Sequence, residues 1–513
     1  MFAFVGSFNS TLRNSYVPCI SERKPAMKSS SSFGIRKKPA VRSLPLCALI
    51  LACAFINAPR GADVQFTTFY NTQTILYTEP VWFDQYPGER GAFMVGELGG
   101  NLFLLEPVTG GYQSVVFGHI PVTKASGNDG LLGVAFHPNF KINHKYYVYY
   151  ISSLGHGVLE ERLAKASFKS DSGYARQLLT STFGNIVHNG GDVHFGRDGY
   201  LYLGFGDAGN PNVYNTNSQD LHLLYGKMIR IDVDRKDAGR EYAIPADNPF
   251  TGSTDAQVRK EIFAYGLRQP WRWSFDPLDG RMFVSEVGDW VQEEIDIVTK
   301  GANYGWSRTE GNTCFNSAAE TVPLATCDKT GLTPPLAVVP HNASAASITG
   351  GAVFRGNSSS PFYGAYIFGD YITRKLYALR ASAPSTVELI GTSPGQPASF
   401  GTDSLGNIYL VGHETGIIYR LSHTDLTGVT SIASRSSGRP PKILNRIGGN
   451  WRFDDQAFPG MDRLRLAGLD GKILFTLSRN QLHSGFGADL VPGVYLIEGY
   501  RSGVKTVFPV LLK

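Results

Sequence analysis

Between Asp63 and about Leu421 one pattern recurs: an apolar strand, a turn carrying Pro, Asp or Gly, then a second strand dense in Tyr, Phe, Val and Leu. The copies begin at Val81-Trp-Phe, Val134-Ala-Phe-His-Pro, Val193-His-Phe-Gly-Arg-Asp-Gly, Trp273-Ser-Phe-Asp-Pro-Leu-Asp-Gly, Ala352-Val-Phe-Arg and Ser399-Phe-Gly-Thr-Asp-Ser-Leu-Gly. A lone strand pair buries too little to be stable. Its repetition at intervals of roughly 40 to 80 residues therefore predicts blades packed around a ring, an all-β, six-bladed β-propeller over 63–421 with insertions. A β-sandwich would leave the repetition unexplained. The chain's 513 residues exceed what one ordinary core fills, roughly 250–300 residues, so appendages are expected.

Past Leu421 the composition shifts to Ser, Thr and Gly and then to Arg439-Pro-Pro-Lys, which marks a linker over 422–442. Residues 443–513 return to short strands, and the turns Leu469-Asp-Gly-Lys and Arg501-Ser-Gly-Val suit hairpins, so a small C-terminal β-sandwich is expected. Its Gly-x-Tyr strand and final Lys-containing strand resemble the sorting domains of some bacterial secreted proteins, which implies cell-surface attachment or contact with secretion machinery. An Ig-like spacer or a carbohydrate-binding module fits the same marks.

The net charge of +5 suggests nucleic acid until its distribution is considered. Residues 1–62 hold nine of the 48 basic side chains and one of the 43 acids, so the remainder is slightly acidic and no nucleic-acid partner is expected. The N-terminal segment has the layout of an export signal: Arg36-Lys37-Lys38 and Arg42 precede the apolar run from Leu44, and the small residues Ala58, Gly61 and Ala62 follow. That run is short for a membrane anchor. Ile50-Leu51-Ala52-Cys53 also has the form of a lipoprotein cleavage box. The expected location is secreted, cell-surface or periplasmic. Cys19, Cys47 and Cys53 fall in the segment expected to be removed. This leaves Cys314 and Cys327, which in an oxidising compartment most simply form one disulfide.

Several long segments, in order, resemble the glucose/sorbosone dehydrogenase family of pyrroloquinoline quinone (PQQ)-dependent sugar dehydrogenases and hedgehog-interacting-protein-like relatives. They include Gly130-Leu-Leu-Gly-Val-Ala-Phe-His-Pro-Asn-Phe, the stretch from His188-Asn-Gly-Gly-Asp to Gly206-Asp-Ala-Gly, Tyr265-Gly-Leu-Arg-Gln-Pro-Trp-Arg-Trp, and Glu293-Glu-Ile-Asp through Asn303-Tyr-Gly-Trp. The resemblance spans most of 63–421.

His188 stands in a glycine-rich loop just before a strand, which would put an imidazole at the mouth of a propeller channel, where a group with an ordinary pKa near 6.5 can take a proton. A turn histidine bonded to backbone is the alternative. The resemblance implies that His188 is the base that removes the sugar hydroxyl proton. It also implies that Asn128, Arg268 and Gln269 contact the quinone, with Gln269 standing where the family has Asn. Arg268 has a second reading as a blade-to-blade salt bridge. No basic side chains stand in register at Gly369-Asp-Tyr-Ile-Thr or Pro397-Ala-Ser-Phe-Gly, where the dehydrogenases supply them. For calcium, the resemblance implies the carbonyls of Gly288 and Asp289 for a cofactor-bridging ion and Glu294 with Tyr304 for a second, structural ion; a solvated acidic turn is the alternative. His137 reads as structural because Pro138 follows it. His194, alternating with Val193 and Phe195, reads as a packing or surface residue.

The expected function is PQQ-dependent oxidation of an aldose or related polyol, with electrons passing to an external acceptor. A non-catalytic propeller that binds carbohydrate or protein is the rival, and a calcium-dependent lactonase-type hydrolase a third reading. Fold alone does not choose among them.

Overall fold

The computed structural model describes residues 64–69, 75–87, 91–123, 129–165, 169–182, 187–209, 216–341 and 346–422, and in the tail the strand residues 444–447, 450–453, 463–467, 473–478, 493–501 and 504–512. The export segment, Asn128 and nearly all of the linker lie outside the described residues.

Six antiparallel sheets of four or five strands form the expected propeller. The first strands of blades 1 to 6 are Pro80–Gln85, Leu131–Phe136, Val193–Phe195, Pro270–Phe275, Ile348–Val353 and Pro397–Thr402. Each blade packs against neighbouring sheets on both faces, so its central strands are buried almost continuously: Phe93–Glu97, Leu201–Phe205 and Met282–Glu286 are buried at every position. Blade 6 takes its outer strand, Gln65–Thr68, from the N-terminal end of the ring, where it pairs with Ile417–Ser422. This closure seats Phe69 with its ring centroid 4.8 Å from that of Phe93 and 4.9 Å from that of Tyr409, joining blades 1 and 6.

The first strands line the channel side by side and in one direction. Gly133 lies against Gly191, Gly350 against Arg272 and Gly401 against Phe83. In five blades the register with the second strand shifts at the same place, between Pro80/Trp82, Leu131/Gly133, Pro270/Arg272, Ile348/Gly350 and Pro397/Ser399. Such a bulge re-aims the side chains around it, here along the channel wall.

Cys314 and Cys327 are disulfide-bonded in the insertion between the third and fourth strands of blade 4. The propeller ends at Leu421 and a second compact unit takes in Ser422–Lys513. Its described strands form a four-stranded antiparallel sheet and a separate two-stranded ladder, Leu444–Ile447 with Asn450–Phe453. No helix among the described residues is long and apolar enough to cross a membrane.

Candidate active site

The loops that precede the first strands of blades 3 and 4 carry the sequence-predicted residues to one end of the channel. His188 has φ +56°, and Gly190 and Gly191 follow at +61° and +105°. A left-handed turn at a non-glycine residue is uncommon and persists where surrounding contacts enforce it. A Cβ on Gly190 would meet the Gly204 carbonyl oxygen at 2.4 Å, so the sequence needs glycine there for the loop to lie on the second strand of its own blade.

The imidazole is buried, and Nδ1 lies 2.7 Å from Asp207 Oδ1. Because the carboxylate accepts only, Nδ1 carries the proton and the lone pair is on Nε2, which has no hydrogen-bond partner among the described residues. Asp207 is itself fixed. Oδ1 accepts from the Gly209 N–H at 2.8 Å, Oδ2 accepts from Trp306 Nε1 at 2.7 Å, and its own N–H donates to the Arg268 carbonyl at 2.7 Å. Burial pushes the His188 pKa below its ordinary value and the Arg268 charge pushes it further, with Asp207 opposing both. Its ground state near neutral pH is therefore a neutral, oriented base.

Arg268 and Gln269 border this loop. Gln269 Oε1 accepts from the Gly190 N–H at 3.0 Å, and the backbone N–H groups of both residues donate to Glu286 Oε1. The Arg268 guanidinium donates to Asp289 Oδ1 at 2.7 Å and to the Val287 carbonyl at 3.1 Å, and it lies 5.3 Å from the Trp306 ring. Its ion pair is thus made within blade 4, not between blades. Two buried donors remain without acceptors: Arg268 Nε and Gln269 Nε2.

Gly288 and Asp289 sit in a turn whose backbone N–H groups converge: those of Asp289, Trp290, Val291 and Gln292 all donate to Glu310 Oε1, at 2.7 to 3.1 Å. The Gly288 carbonyl accepts no hydrogen bond from the described residues. Glu294 and Tyr304 are both buried; the Glu294 carboxylate accepts the Gly311 N–H, and the Tyr304 hydroxyl donates to the Ile297 carbonyl at 2.8 Å and accepts from the Thr299 N–H. Burial pushes Glu294 up to about 8, and it holds Glu286 and Asp296 well above the usual carboxylate range. Among the described residues no group of three or more His, Cys, Asp or Glu side chains is arranged to hold a metal ion.

Sequence reasoning missed Asp207, Trp306 and the carboxylate role of Asp289. Asp207 lies within the quoted Gly206-Asp-Ala-Gly, but nothing local in the sequence shows that it folds back onto a histidine 19 residues earlier. Asp129, beside the undescribed Asn128, is buried and accepts from Asn189 Nδ2 at 3.2 Å, tying blade 2 to the His188 loop. His137 is structural: Nδ1 accepts from the Asn139 N–H at 2.9 Å, and Nε2 faces Asp234.

Residues 78–393 match the family model described as Glucose / Sorbosone dehydrogenase. Among curated proteins, the HIPL1 protein of Arabidopsis thaliana is 31% identical over 305 residues, covering 52% of this chain and 43% of the relative. An aldose sugar dehydrogenase of Escherichia coli is 32% identical over 197 residues, covering 36% and 48%. The hedgehog-interacting protein of Homo sapiens is 28% identical over 313 residues, covering 56% and 41%. The chain thus spans less than half the length of these relatives. Among solved structures, the soluble aldose sugar dehydrogenase of Escherichia coli in its apo form aligns with TM-score 0.58 at 22% identity, covering 70% of this chain and 99% of that one. The PQQ-bound aldose sugar dehydrogenase of Streptomyces coelicolor aligns with TM-score 0.55 at 22% identity, covering 70% and 98%. At these identities the structural likeness establishes the propeller fold alone.

Proposed function

The chain belongs to the glucose/sorbosone dehydrogenase family, and from that premise we propose that it oxidises an aldose or related polyol at a hydroxyl-bearing carbon and passes the electrons to an external acceptor. The observation that carries this reading is the His188–Asp207 pair, which leaves Nε2 as an unpartnered base at the end of the channel. As the hydroxyl proton moves to Nε2, Asp207 offsets the charge of the forming imidazolium, while Trp306 and the Gly209 N–H keep the carboxylate from rotating away. Burial first, and the Arg268 charge after it, favour the neutral base between turnovers.

The two buried donors without acceptors, Arg268 Nε and Gln269 Nε2, fit a ligand that presents acceptor oxygens, as PQQ would. When bound, PQQ supplies the two-electron acceptor that no side chain can. The Gly288 carbonyl and Asp289 offer the hard oxygens that a calcium ion beside it would take, although the Asp289 carboxylate already serves Arg268. We place the reaction in an oxidising compartment, as the Cys314–Cys327 bridge favours, with a signal segment for export and the C-terminal unit available for surface attachment.

A non-catalytic propeller that binds carbohydrate or protein is the second reading. What favours it is that two of the three Arg268 guanidinium nitrogens are already engaged from within, by Asp289 and the Val287 carbonyl. Incubating the protein with calcium and PQQ, then assaying dye reduction across a panel of sugars, separates the two. Turnover supports the dehydrogenase; sugar binding with no PQQ-dependent turnover at any calcium concentration rejects it.

A further inference from the structure

The other end of the channel holds a cavity of about 370 Å³ that belongs to none of the chemistry above. Its walls are the C-terminal halves of the first strands, whereas His188, Arg268 and Gln269 precede their N-terminal ends, so the two places share the channel but not its mouth. Trp82, Phe136 and Trp273 supply ring surface. Against them stand polar atoms with no partner among the described residues: the buried hydroxyls of Ser274 and Ser399, Nδ1 of His194 and Oδ2 of Asp84. A core built only for stability would leave few such groups unsatisfied, because each costs its desolvation.

His194 packs edge-on against Trp273, with ring centroids 4.6 Å apart, and is half-buried, as its strand position predicts; what alternation does not predict is its carboxylate partner. Its Nε2 lies 3.1 Å from Asp192 Oδ2, and Asp192 Oδ1 lies 4.0 Å from Arg272. Burial lowers the His194 pKa, and Asp192 with neighbouring Asp84 outweighs it and pushes the pKa up, while Nδ1 is left facing the cavity. Two carboxylates, Asp84 and Asp192, thus face the His194 imidazole and the Arg272 guanidinium, so groups of opposite sign meet on the cavity floor.

We propose that this cavity is a second binding site for a neutral, polyhydroxylated ligand of monosaccharide size, with Asp84 Oδ2 and His194 Nδ1 hydrogen-bonding adjacent hydroxyls, which can both donate and accept, and the Ser274 and Ser399 hydroxyls completing the set. The aromatic rings take the ligand's apolar C–H face, the usual division of labour in a small-molecule pocket. Burial pushes Asp84 up to about 6, so near neutral pH it is still an ionised acceptor.

The site does not rest on the oxidation reading, and the test keeps the two apart. The probe is 1,5-anhydro-D-glucitol, which lacks the anomeric hydroxyl; binding to the full chain is read by calorimetry and by tryptophan fluorescence. Saturable binding is expected, and it should survive His188→Ala. Asp84→Ala should weaken it about 10–100-fold and Ser399→Ala about 2–10-fold, the ranges for losing a charged and a neutral hydrogen bond. Thermal melting checks that each variant folds, and if Asp84→Ala does not, Ser274→Ala takes its place with the smaller effect. No saturable binding, or binding abolished by His188→Ala and indifferent to Asp84 and Ser399, overturns the proposal. A clear preference for glucosamine or gluconate over the neutral probe overturns the ligand class.

Discussion

Of the histidine–aspartate pairs in the propeller, His188–Asp207 stands at one end of the channel and His194–Asp192 at the other, and their surroundings drive their pKa values in opposite directions. Both imidazoles contact a buried carboxylate. Beside His188 the nearest other charge is the Arg268 cation, which adds to burial and holds the ring neutral. Beside His194, Asp84 joins Asp192 in outweighing burial, and together they push the pKa up. Contact with a carboxylate therefore does not by itself set the direction of the shift; the balance of burial, the contacting carboxylate and the other charges around each ring does. One propeller shifts the two imidazoles in opposite senses at its two mouths, although the histidines are only six positions apart in sequence.

The comparison breaks most visibly at the base. His188→Ala or Asp207→Asn should lower sugar turnover by about 10²–10⁴-fold, the contribution of a positioned general base, because the first removes Nε2 and the second lets an amide invert the tautomer. Steady-state kinetics with PQQ and calcium measures this, and neither change should disturb probe binding at the far cavity. Equal loss at both mouths would show that the two sites are one.

A smaller effect follows from Arg268. Arg268 lowers the His188 pKa, so replacing it with Leu should move that pKa up. The acid limb of the turnover profile should shift to higher pH. An acid limb that does not move would show that burial alone sets this base.

Most of the propeller was legible because its repeat is physical: each hairpin must bury two faces, so alternation and turn residues recur at every blade. The His188 loop was legible for a related reason, since His-Asn-Gly-Gly before a strand fixes both a left-handed turn and a close backbone approach. What surrounds these residues was not. Asp207 reaches His188 by folding back across blade 3, Trp306 reaches Asp207 from beyond the third strand of blade 4, and Glu310 gathers four N–H groups from a turn about 20 residues before it. These contacts are made by ring closure and side-chain reach, which no local period encodes. His194 shows the limit most directly: strict alternation on its strand predicts which way it points and says nothing of the carboxylates that meet it there.

Stability offers a further test of the far mouth. Asp84 is raised by burial from an ordinary 3.8 to about 6, so the folded state binds this proton more tightly than the unfolded chain does. The stabilisation linked to that proton is fully present below pH 4 and is lost as pH rises through 6. Asp84→Asn removes the ionised form's cost, so the variant should melt above the wild type at pH 8, with the gain fading towards pH 4. A gain that is flat with pH would mean Asp84 is not desolvated in the folded protein.

The smallest effect concerns His194 itself. Of the groups that raise its pKa, Asp192 acts first, by charge and by hydrogen bond, and Asp84 after it. Asp192→Asn should therefore bring the His194 pKa down below its ordinary value, because burial and the Arg272 charge would then act with no contacting anion against them. Asp84→Asn should lower it only slightly, and in neither variant should His188 respond to a comparable extent. Titration of the two imidazoles by NMR reads both at once. If Asp84→Asn moves His194 as far as Asp192→Asn does, the carboxylates act as one pooled charge and the donor at the far mouth is set by the whole cavity floor instead of by its contact with Asp192.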